Sequence, residues 1–105
     1  MEQTWEVTSD NDPNNELARI LVDNPHLFTE ILDGALRIRS DLATKPQSFV
    51  EEYLRDGRGR GIVLEVLPRH SEFALLVQFA IYPFKSLVKI VKVELLGPSP
   101  PRDAD

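Results

Sequence analysis

With 105 residues, the chain is sized for one domain with one modest core and is too short for two. Hydrophobic residues make up 42% and charged residues 28%, an ordinary globular balance. There is no cysteine, which excludes disulfides, thiolate metal sites and a cysteine nucleophile, and the net charge of -5 argues against tight nonspecific polyanion binding by the whole surface.

The opening MEQTWEVTSD has no basic start and no apolar run, so no signal peptide is expected there. The lack of cysteine fits a reducing, cytoplasmic location. No stretch of eighteen apolar residues occurs, so no membrane span is expected. Charge is uneven along the chain. Residues 1–54 carry four basic side chains (Arg19, Arg37, Arg39, Lys45) against eleven acidic ones, a sum of -7. Residues 55–95 carry seven (Arg55, Arg58, Arg60, Arg69, Lys85, Lys89, Lys92) against four (Asp56, Glu65, Glu72, Glu94), a sum of +3. An anionic partner is expected to meet the second half.

In chain order, TWEVT over residues 4–8 suits a short strand, because Thr, Trp and Val favour a pleated surface. Asp12 and Pro13 supply a helix N-cap and first helical residue, and Leu17, Ile20 and Leu21 share a face. Asn24-Pro25 ends this helix and starts a second. In that second helix Phe28, Ile31, Leu32, Ala35, Leu36 and Leu42 form an apolar stripe, with Ile38 at its edge. Gly34 within it costs about 1 kcal/mol relative to alanine, which a close helix crossing would explain, and Lys45-Pro46 stops the helix. So short a link predicts that the helices pack antiparallel as a hairpin.

QSFVEEYL, residues 47–54, fits either a short helix capped by Ser48 and Glu51 or a loop with Phe49 and Tyr53 tucked inward. RDGRGRG, residues 55–61, breaks any helix and is the most basic point of the chain. Ile62–Leu67 then reads as a strand and PRHSE, residues 68–72, as a hairpin loop. Phe73–Tyr82 reads as a central strand covered on both faces, and Ser86–Leu96 as a valine-rich last strand. The expected whole is one α+β domain over residues 1–96, with a proline-rich disordered tail over 97–105.

Several side chains are candidates for chemistry. Arg55, Arg58 and Arg60 have forks that match phosphate oxygens, although neither a P-loop nor a dinucleotide fingerprint is present; a solvated mobile loop is the plainer reading. His70, beside Arg69 and near Glu72, can act as a general acid or base, or be an exposed loop residue. His26 reads as structural or exposed, and with no cysteine no metal site is expected. Lys89 and Lys92, three apart, are expected on opposite faces of the last strand, with Lys85 on the face of Lys89 if the strand reaches it. The lysines can also simply discourage edge aggregation. Tyr53 and Tyr82 are core-rim residues or phenols for stacking.

The segments TWEV, NELARI, DLATKP, RDGRGRG, IVLEVLP, FALLVQFAI and LVKIVKVEL, in that order over residues 4–95, resemble the RelE/ParE superfamily of toxins from type II toxin–antitoxin systems. The resemblance implies a helical hairpin packed on a twisted antiparallel sheet of three to four strands. It implies a toxin: a ribosome-dependent mRNA endonuclease of RelE type, or a non-enzymatic member that is gyrase-directed like ParE or catalytically silent. The family's arginine at the start of the strand after the loop maps to Arg60, or to Arg58 in a shifted register, and would hold the scissile phosphate. With His70 these form the expected catalytic set, and Arg55, Arg69, Lys85 and Lys89 the expected RNA contacts. A cognate antitoxin, the ribosome and mRNA are the implied partners, with no cofactor. The chain departs from the family pattern at its end, where VKVELLGPSPPRDAD replaces a His, Arg or Tyr cluster. A rival reading is a small α+β module whose apolar strand surface binds another protein.

Overall fold

A computed structural model describes residues 4–97. The elements are β1 (Glu6–Ser9), α1 (Asn11–Asp23), α2 (Phe28–Thr44), β2 (Val50–Tyr53), β3 (Gly59–Leu67), β4 (His70–Tyr82) and β5 (Leu87–Leu96). Short 3-10 turns at Pro25–Leu27, Pro46–Phe49 and Pro83–Lys85 link them. The strands form one sheet in the order β1-β5-β4-β3-β2, with β1 parallel to β5 and the other pairs antiparallel. The chain is therefore α+β with two helices and a five-stranded mixed sheet, where three to four antiparallel strands were expected. Two edges account for the difference. The two helices carry the chain from β1 to the opposite edge, the meander back across the sheet sets β5 parallel beside β1, and Trp5 anchors the entry to β1 by donating its N–H to Ala43 O at 2.8 Å. Residues 50–53, open between helix and loop in the sequence, add β2 as the opposite edge.

Both helices lie on one face of the sheet, α1 over β5 and α2 chiefly over β3. The core is built from alternate strand positions (Val63 and Leu67; Leu75, Val77, Phe79 and Ile81; Val88, Ile90 and Val93) packed against Leu27, Ile31, Ile38 and Leu42. Each fully buried side chain of this size contributes about 1.5–3 kcal/mol by leaving water. In α2 the buried face is Ile31, Gly34, Ile38 and Leu42, so Ile38 is central rather than marginal. Phe28 and Leu36, expected in the stripe, are 47% and 59% exposed. The helix carries two overlapping apolar sets at helical spacing, and the sheet takes the one running through residue 38. Gly34 faces β3, not another helix: a Cβ there would lie 3.7 Å from Glu65 and 3.8 Å from Leu67.

The first helix begins at Asn11, with Asp10 at the N-cap position, so Pro13 is the third helical residue rather than the first. It ends as expected. The Asn24 backbone N–H (3.1 Å) and side-chain amide (2.9 Å) both donate to Ile20 O, closing the last turn. β4 is the central strand, as expected, but it is covered on one face rather than both. From Leu75 to Tyr82 its residues alternate between buried odd positions and half-buried even ones, because both helices share one side of the sheet. Of the tail expected at 97–105, only Gly97 belongs to the described residues. Among them, no helix is long and apolar enough to cross a membrane.

Candidate nucleic-acid interface

The arginine-glycine segment divides into a turn and a strand. Leu54 N–H donates to Arg58 O at 2.7 Å and Gly57 N–H to Leu54 O at 3.0 Å, closing a tight turn. Gly57 supplies the positive φ of 90° that this turn requires. Asp56 accepts from both the backbone N–H (3.1 Å) and Nε (2.7 Å) of Arg58. The Arg58 backbone N–H is the main reason the Asp56 carboxyl lies below its ordinary range. Gly59 and Gly61 belong to β3 and face the core. At Gly61 a Cβ would sit 2.1 Å from Phe49 O and 2.7 Å from the Phe79 ring, so this glycine exists to let two backbones approach. A strand, β2, does precede the segment, although none is expected there from the sequence. The next element is β3 rather than a helix, so a dinucleotide fold remains excluded.

The uncovered face of the sheet carries the even positions of β3 and, from Ala74 on, of β4, with their partners. Across it, Arg60 pairs with Ala80 and Ala80 with Lys89. In the adjacent row, Ile62 pairs with Gln78 and Gln78 with Lys92. Lys89 and Lys92 therefore share a face, which corrects the expectation of opposite faces. The physical reason is a bulge: the register shifts between Gln78 and Phe79, leaving Val91 without a partner and resetting the alternation. With neighbouring strands about 4.8 Å apart, Arg60 and Lys89 stand about 10 Å apart across small Ala80. Tyr82, opposite Leu87, lies on the same face by alternation.

The remaining predicted residues divide between the two ends of the sheet. Arg55 and Arg58 lie in the β2–β3 turn, and Lys85 in the 3-10 turn after β4 rather than in the last strand. The two turns meet where the Phe84 ring approaches Gly57. Arg55, Arg58, Arg60, Lys85 and Lys89 are thus gathered at one end. Arg69 and His70 lie at the other. From Arg60 to Leu67, the partner of His70, seven strand steps span about 23 Å. Arg58, Arg60 and His70 do not converge on one phosphate, and the catalytic set expected from the sequence is divided.

His70 is also not a loop residue. The hairpin turn is only Pro68-Arg69, and a register shift at Val66/Leu67 sets His70 opposite inward-facing Leu67. That places it on the helix side, where its Nδ1 contacts Glu30 Oε2. Glu30 Oε1 accepts the Arg69 backbone N–H at 3.0 Å. The His26 ring stands edge-on to His70 with centroids 6.5 Å apart, in a cleft of about 480 Å³ that Asp33 and Arg37 also line. Arg37 is held by Glu65 at 2.6 Å, a hydrogen bond that raises its basicity. This cluster clamps the β3–β4 turn to the first turn of α2. Among the described residues, no group of His, Asp and Glu is arranged to hold a metal ion. Lys92 joins the site although strand parity excludes it, and only the bulge could have revealed it. No family model, curated protein or solved structure matches this chain.

Proposed function

We propose that the chain is a RelE/ParE-like toxin that holds an RNA backbone on the open face of its sheet. The observation that carries this reading is the cross-strand row Arg60–Ala80–Lys89 with Lys92 beside it. It concentrates three cations on an otherwise acidic chain, and small Ala80 leaves room for a phosphate between them. The chain order of strand, helix, helix and then successive strands is the order the resemblance implies, and it supports the reading. The cations can bind phosphate and stabilise charge developing on it. Both histidines lie on the other side of the sheet, so His70 supplies no proton transfer there.

Expression of the chain is expected to arrest growth, and the Arg60→Ala/Lys89→Ala variant to relieve the arrest. Arrest that persists in a folded variant would refute the assignment. In vitro, three phosphate contacts on single-stranded RNA predict a log–log salt slope of about -2, falling by about 0.7 for each cation removed. A protein partner such as a cognate antitoxin is a second element of the proposal. It is favoured by the apolar half of the same face, where Leu64 and Val66 are 53% and 50% exposed.

A further inference from the structure

Every cation of the open-face cluster is held by a carboxylate of the same chain, and the three carboxylates come from different places in the fold. Glu52, on edge strand β2, accepts from Arg60 Nη2 at 3.1 Å. Asp10, at the β1–α1 junction, meets Lys89 Nζ at 3.1 Å. Glu94, further along the outer face of β5, meets Lys92 Nζ at 2.8 Å and raises its basicity. Asp10 is the telling member. It occupies the N-cap position of α1, where an aspartate normally gives its carboxylate to the helix N–H groups, yet it makes no side-chain cap bond. Its charge goes to the sheet instead.

We propose that Asp10, Glu52 and Glu94 act as an internal mimic of the phosphate backbone, occupying the cationic row until a polyanion displaces them. This inference rests on the nucleic-acid reading of the face. Each pair is exposed, so each is weak and opens readily, and no conformational change is needed. The ligand class is a flexible single-stranded polyanion whose successive phosphates replace three carboxylates at once. A single phosphate faces three competitors near at hand and gains little. The built-in competition therefore selects for chain length and suppresses binding of small anions.

The test uses a fluorescein-labelled, unstructured single-stranded RNA titrated with the full chain at low salt. Wild type is compared with Asp10→Asn/Glu52→Gln/Glu94→Gln and with Asp33→Asn/Asp41→Asn/Glu72→Gln, which removes the same charge from α2 and the far end of β4. Thermal unfolding of each confirms folding. The first variant is expected to bind at least about tenfold tighter than wild type. The control should change affinity less than about threefold, because its charges lie farther from the row. Equal tightening in both variants would show only a global charge effect and overturn the mimic. RNA binding by wild type that the first variant leaves unimproved would overturn it too, with the nucleic-acid reading intact. Failure of both wild type and the first variant to bind would overturn that reading and the mimic together.

Discussion

Substituting Gly61 with alanine tests how the cationic row is positioned. The new Cβ would lie 2.1 Å from Phe49 O, 2.8 Å from Phe49 C and 2.7 Å from Phe79 Cζ. Two of those atoms are backbone, and the third belongs to a ring that is 1% exposed, so none can yield cheaply. Overpacking of a tight core costs about 1–3 kcal/mol, and a backbone obstacle belongs at the upper end of that range. For a domain of this size, about 3 kcal/mol lowers Tm by roughly 12–24 °C. Relief would require β3 to move from the segment leading into β2, carrying the neighbouring Arg60 out of its row with Lys89. Gly61→Ala is therefore expected to lose both thermal stability, measured by circular dichroism, and RNA affinity. Gly34→Ala is the opposite control. Its Cβ would meet only ordinary contacts at 3.7–3.9 Å, and the helix gains about 1 kcal/mol from alanine. A Gly61→Ala protein that melts with wild type would refute the packing argument.

The same geometry sets further outcomes. His70→Gln should leave RNA affinity unchanged, since His70 lies on the helix side of the sheet, while costing about 1 kcal/mol in chemical denaturation for the lost bond to Glu30. Leu64→Asn should change stability by less than about 0.5 kcal/mol, because the face it occupies is uncovered. The fully buried Leu42 should lose about 2–5 kcal/mol on truncation to alanine, and equal losses at the two leucines would undo the one-sided picture of the core. Asp56 has a lowered folded pKa, so its contribution to stability is present above the unfolded value, about 3.9, and is lost as pH falls through the folded one. An NMR titration should find Asp56 below that reference, and Arg58→Ala should move it back up because the Nε bond and the positive charge are removed.

The amino-acid sequence by itself determined which segments become helices and most of the strands. Apolar spacing at Leu17, Ile20 and Leu21 and the stop at Asn24-Pro25 are local signals, and local physics settles them. The same holds for the strands through Val63 and Val88, and for the concentration of positive charge after residue 55. Only the tertiary structure decided which of two apolar sets α2 would bury, since both have helical spacing and the contact surface of the sheet selects Ile38. Parity along a strand is equally blind to irregularities elsewhere. The bulge at Val91 brought Lys92 onto the face of Lys89, and the shift at Leu67 turned His70 away from Arg60. Both depend on how one strand meets its neighbour, a relation that no stretch of single chain contains.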